Sequence, residues 1–137
     1  MKTLTLFSLF AIASALLTVA QDSGTAPTVD LDPTELTFDC IHTATGCQCS
    51  HAGTVTLTNL GPTALKISRI STSRSFFSQS NSCGHTLDKG RSCAIQVVWN
   101  KVGVGPGELS VSNNAVDSPQ KVSLDVYEGC KPPGGSN

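Results

Sequence analysis

From residue 29 onward, apolar and polar side chains alternate. Leu36, Phe38 and Cys40 share one face of a segment whose other face carries Thr37 and Asp39. Val55 and Leu57 alternate with Thr54, Thr56 and Thr58, and Leu65 and Ile67 with Lys66 and Ser68. Cys93, Ile95, Val97 and Trp99 form a longer file, Leu109 and Val111 a shorter one, and Val122, Leu124 and Val126 the last. A period of two is the mark of a strand with one buried face. No segment beyond residue 21 repeats at the helical period for three turns, so no long helix is predicted. Turn residues separate the files: Asn59-Leu60-Gly61-Pro62, Asp88-Lys89-Gly90, Gly103 to Gly107, and Asn113 to Pro119. Short strands with turns every 8–12 residues predict two antiparallel sheets packed as a sandwich. Leu57, Ile95, Val97, Trp99, Val111 and Leu124 are the expected core, with Trp99 as a core aromatic rather than a ligand platform.

The start of the chain has a different pattern. Lys2 precedes a mostly apolar run from Leu4 to Val19, and Thr18-Val19-Ala20 places small residues before a cut after Ala20. This order reads as a secretory signal peptide over residues 1–20. The run is too interrupted by Thr and Ser for a membrane-spanning helix, and the polar end, residues 131–137, excludes a lipid-anchor signal. Gln21–Thr28 reads as a flexible lead-in, residues 29–130 as the sandwich, and residues 131–137 as a disordered tail. The expected location is extracellular, with no membrane anchor.

Composition narrows the function classes. The 137 residues carry nine Lys and Arg against ten Asp and Glu, a net charge of −1. That lacks the basic surplus of a nucleic-acid binder. At 39% hydrophobic the chain can bury a core, and six Cys point to an oxidising compartment.

The ordered set of segments resembles a known family. Pro33-Thr34-Glu35-Leu36-Thr37-Phe38 opens it, followed by Val55 to Asn59 with Gly61, Leu65-Lys66-Ile67 and Phe76-Phe77. Asn81-Ser82-Cys83-Gly84, Leu87, Gly90, Ser92-Cys93, Gly107 to Val111 and Ser118 to Leu124 complete it. This resembles the Hydin-like or ASH immunoglobulin-like domain, especially the version repeated in bacterial surface proteins labelled choice-of-anchor D. The resemblance covers about residues 29–127. It implies an all-β, seven-stranded immunoglobulin-like antiparallel sandwich and no catalytic residues. The cytoskeletal roles of its intracellular members do not fit an exported chain. Cys83 and Cys93 match the family's paired positions, and their bridge is expected on that ground.

The segment Cys40 to His51 departs from the family, which lacks cysteine there. Cys40, Cys47, Cys49 and Cys130 admit three pairings. A Cys47–Cys49 link is disfavoured because extended neighbours two apart hold their Cβ atoms beyond bridging distance. Cys40–Cys47 with Cys49–Cys130, or Cys40–Cys49 with Cys47–Cys130, remain. The alternative for this loop is a metal site, since His42, Cys47, Cys49 and His51 are ligands of the kind zinc or copper(I) takes. Its spacing is tighter than that of usual zinc sites, and disulfides are the preferred reading, with no cofactor.

No G-x-S-x-G elbow, phosphate loop or dinucleotide motif occurs. Asp30, Asp32 and Glu35 read as a solvated edge that discourages sheet-to-sheet aggregation. The expected function is a small, secreted, disulfide-stapled, non-enzymatic interaction module with a protein or cell-surface partner, possessing the traits of an effector of a host-associated microbe. His42, Gln48 and His51 are the candidate contact residues, and the chain is expected to be a monomer. A cell-wall or matrix structural protein is the second reading, and an extracellular metal binder the third.

Overall fold

The structure, a computed structural model, describes residues 25–127, and of His42 only the backbone. The expected signal peptide, Cys130 and the expected tail lie outside the described residues. Ten strands run in chain order: β1 (Val29–Asp32), β2 (Glu35–Thr43), β3 (Gly46–Cys49), β4 (Ala52–Asn59), β5 (Leu65–Thr72), β6 (Phe77–Asn81), β7 (Thr86–Leu87), β8 (Ser92–Trp99), β9 (Gly107–Asn113) and β10 (Gln120–Tyr127). They form a four-stranded sheet of order β1-β4-β8-β6 and a six-stranded sheet of order β3-β2-β10-β9-β5-β7.

The alternating files become the inner faces of these sheets. Val55, Leu57, Ile95 and Val97 from one sheet, and Leu65, Leu109, Val111, Val122 and Leu124 from the other, are fully buried. Trp99 is 6% exposed and belongs to the same cluster, as expected of a core aromatic. Phe38 and Phe77 meet across the sandwich with ring centroids 5.5 Å apart. The Trp99 indole Nε1 donates to the Gly103 carbonyl at 2.7 Å, which satisfies its polar edge inside an apolar site. The Cys83–Cys93 disulfide ties the entry of β8 to the segment after β6, and both cysteines are buried.

The strand inventory exceeds the seven expected. Cys40–His51, read as a loop, is a hairpin in which β2 extends to Thr43 and β3 pairs back on it. β7 is a two-residue addition beside β5. Of the lead-in expected over Gln21–Thr28, the structure describes Thr25 to Thr28. Within its described residues, the Thr28 carbonyl accepts from Leu60 N at 2.8 Å, Thr63 Oγ1 donates to the Thr25 carbonyl, and Pro27 is buried. Asp30 and Asp32 are exposed on β1, an edge strand, where charge opposes pairing with another sheet.

Candidate functional site

The β2–β3 hairpin stands at one end of the sandwich. β2 runs parallel to β10, with Asp39 opposite Tyr127, and then continues past it. The chain turns at Ala44 and Thr45, where Thr43 Oγ1 donates to the Gly46 carbonyl at 2.7 Å. Gly46 has a φ of 127°, a conformation that side chains rarely adopt. Ser50 N donates to the Asp39 carbonyl at 2.8 Å. The neighbouring pair, Cys40 opposite Cys49, is therefore a non-hydrogen-bonded pair, in which side chains come closest. These two cysteines are joined as a disulfide across the hairpin. Of the two pairings the sequence left open, the one with a Cys40–Cys47 bridge is not formed. Cys47 is also disulfide-bonded.

Alternation along the hairpin turns Cys40 and Cys49 toward the core and Ile41 and Gln48, which are register partners, outward. His51 follows β3; its ring Nδ1 lies 3.3 Å from the Cys49 carbonyl, and its own carbonyl accepts from Trp99 N at 2.8 Å. The second bond brings the β8–β9 loop alongside. Asn100 Oδ1 accepts from Val102 N at 3.1 Å and shapes a turn in which Lys101 takes a φ of 66°. A cleft of about 500 Å³ results, lined by Asp39, Ile41, Gln48, Ser50, His51 and Lys101. It offers a carboxylate, an ammonium, an imidazole, a primary amide and an apolar wall.

The apolar surface gathers at the same end. Ile41 is 57% exposed, Val102 81%, Val104 50% and Tyr127 59%. Tyr127 sits beside Asp39 on the outer face, and Gly105 N donates to the Val126 carbonyl, which draws the loop bearing Val102 and Val104 to the end of β10. Only Leu60 and Val116 are comparably exposed large apolar residues elsewhere among the described ones.

The structure thus brings two expected contact residues, Gln48 and His51, to one cleft, and places the His42 backbone opposite Cys47. It adds Asp39, Ile41 and Lys101. Asp39 was legible as an outward residue of β2, whereas Ile41 fell in the segment expected as a loop, and nothing local marks Lys101, which arrives through the fold. The metal reading loses its thiolates, because Cys47 and Cys49 are both engaged in disulfides. Among the described residues, no group of three His, Cys, Asp or Glu side chains is placed to hold an ion.

No known family's sequence profile matches the chain. No curated protein matches it either. Solved structures do. A protein of unknown function from Porphyromonas gingivalis W83 aligns at 12% identity and TM-score 0.60, over 79% of this chain and 50% of that one. Domains 4 and 5 of the S-layer protein SbsC align at 12% identity and TM-score 0.51, over 74% of this chain and 52% of theirs. The secreted serine protease VesC from Vibrio cholerae aligns at 14% identity and TM-score 0.52, over 78% of this chain and 24% of that one. Two sheets packed around one core, with β1 and β2 of the same chain segment split between them, decide the fold. It is an immunoglobulin-like sandwich. The chain spans about half, or less, of each of these structures, and at such identities the likeness is one of fold.

Proposed function

We propose that this immunoglobulin-like sandwich is a small secreted, non-enzymatic binding module that contacts a protein or cell-surface partner with its β2–β3 hairpin end. The observation that carries the reading is the gathering of Ile41, Val102, Val104 and Tyr127 around a polar cleft on a cross-bridged hairpin. Contact surfaces combine exposed apolar side chains, which supply buried area, with polar groups that fix the partner's orientation. A hairpin fixed by a disulfide loses little freedom on binding, which lowers the cost of association. The disulfides fit an oxidising compartment, and no helix among the described residues is long and apolar enough to cross a membrane. An effector role follows if the source organism lives on a host.

The test begins with fractionation of cells that express the full chain. Recovery from the medium with oxidised cysteines supports the reading; retention in the cytosol with free thiols refutes it, and retention in an insoluble wall fraction favours a structural role. The partner captured from extracellular material should be lost with Ile41→Asp and with Lys101→Glu while the circular dichroism stays all-β. Capture that survives both substitutions would place the contact surface elsewhere.

A further inference from the structure

A second feature lies away from the hairpin, where the edges of the two sheets diverge. β6 is the outer strand of the four-stranded sheet. Asn100 N donates to the Phe76 carbonyl at 2.9 Å and Ser82 N to the Ala94 carbonyl at 3.0 Å. These bonds fix the alternation: Ser78 and Ser80 direct their backbone groups toward β8, and Phe77, Gln79 and Asn81 direct theirs outward. Phe77 is satisfied locally, since its N–H donates to the Arg74 carbonyl and its carbonyl accepts from Thr72 Oγ1. The outward backbone groups of Gln79 and Asn81 have no partner among the described residues.

β5 faces this edge. Ser73 N donates to the Glu108 carbonyl at 2.9 Å, so Ser71 bonds toward β9 while Ile70 and Thr72 point toward β6. The Gln79 side chain crosses the gap and donates from Nε2 to the Ile70 carbonyl at 3.1 Å. A side-chain amide thus stands where a ladder bond between strands would be. Beyond it the strands separate. A break in register between Ile67 and Arg69 bends β5, and β7 covers only Leu65 and Lys66. The resulting cleft, about 340 Å³, has Ser68 and Arg69 on one wall, Gln79 and Asn81 on the other, and Gly84 and His85 at its base.

We propose that this cleft receives an extended peptide segment of a partner protein, added as a strand to the β6 edge, with a carboxylate side chain of the peptide on Arg69. Strand addition needs a row of outward N–H and C=O groups, which Gln79 and Asn81 supply. Arg69 is exposed, permanently charged, and outside the one ion pair among the described residues, Lys121 with Glu108. No acidic residue lines the cleft. A second copy of the chain does not fit as well: its β6, Phe77-Ser78-Gln79-Ser80-Asn81, brings no carboxylate to Arg69. In the free protein the Gln79 side chain closes the edge against unwanted pairing, and it swings aside when the strand enters.

The probe is an acetylated and amidated peptide of alternating valine and aspartate, titrated into the full chain by nuclear magnetic resonance. Shift changes should be confined to residues 68–70 and 79–85, with slowed hydrogen exchange at the Gln79 and Asn81 amides. Arg69→Glu should weaken binding about tenfold, the loss of one charge-assisted hydrogen bond, and should favour the valine–lysine peptide instead. Arg69 is exposed, so the variant should keep the fold, which Trp99 fluorescence checks. Methylating alternate peptide amides should abolish binding. No binding of the aspartate peptide, equal binding of the lysine peptide to the parent chain, indifference to methylation, or shifts at the β2–β3 hairpin would each overturn the proposal. So would self-association that Arg69→Glu does not affect and the peptide does not displace.

Discussion

The side-chain amide of Asn59 donates to the Leu87 carbonyl at 2.9 Å, a bond that runs from β4 in one sheet to β7 in the other. The same Nδ2 reaches the Thr63 carbonyl at 2.9 Å, and Oδ1 accepts from Gly61 N at 3.0 Å. Its backbone is paired with Arg91 and Gly90. Asn59 is fully buried and is the one buried polar residue of the described core. An unpaired buried carbonyl or amide costs about 1–3 kcal/mol, and Asn59→Ala strands several at once. The expected loss is about 3 kcal/mol, read as a lower urea midpoint at unchanged slope.

Gly61, two residues on, has no room for a side chain. A Cβ there would lie 2.4 Å from Thr28 N and 2.6 Å from Pro27 Cα, both backbone atoms that cannot step aside alone. Gly61→Ala is expected to cost about 1–3 kcal/mol as overpacking and to detach Thr25–Thr28. Faster hydrogen exchange at Leu60 N, which donates to Thr28, would report the detachment.

Trp99 separates packing from polar satisfaction. Trp99→Ala removes a large buried side chain and should cost about 3–5 kcal/mol. Trp99→Phe keeps much of the volume but leaves the Gly103 carbonyl without its indole donor, so a smaller loss of about 1–3 kcal/mol is expected. A loss below about 1 kcal/mol for the alanine variant would contradict its place in the core. Both variants lack the chain's single Trp and its fluorescence, so their chemical denaturation is followed by circular dichroism.

The disulfides should be reduced in a fixed order. Cys83 and Cys93 are 4% and 8% exposed, whereas Cys47 is exposed and Cys40 and Cys49 are half-buried. Exchange requires access of a thiolate to sulfur, so the hairpin cysteines should be labelled first under mild reductant. Replacing Cys40 and Cys49 by serine should cost about 3 kcal/mol or less and speed exchange mainly in Gln48, leaving β9 and β10 protected. Mass spectrometry after timed alkylation checks the order, and simultaneous labelling of all sites would contradict it.

What could be read from the sequence follows from where burial is one-sided. Val55 to Leu57 and Cys93 to Trp99 alternate because one face of each strand meets the opposite sheet, and their strands and core roles were legible. β6 was not, because in Phe77-Ser78-Gln79-Ser80-Asn81 only Phe77 is buried. β3 was hidden for the same reason: Gly46-Cys47-Gln48-Cys49 is mostly exposed and has no apolar file. The cysteines flagged that region, yet their pairing depends on the register that sets Cys40 opposite Cys49, which no spacing rule fixes. Lys101 and the β5–β6 cleft come from contacts far apart in sequence, so no local signal announces them.

The parallel pairing of β2 with β10 has a mechanical consequence. Five register pairs, from Glu35 with Ser123 to Asp39 with Tyr127, lie side by side and run the same way. Tension applied at the amino end of β2 and the carboxyl end of β10 slides the two strands lengthwise. All their hydrogen bonds then share the load and must yield together, whereas antiparallel strands pulled from the same end unzip bond by bond. Once β1 has parted from β4, a tether made through this domain should therefore resist stretching until β2 and β10 rupture abruptly, which force spectroscopy on a chain of linked copies would register as one main peak per copy.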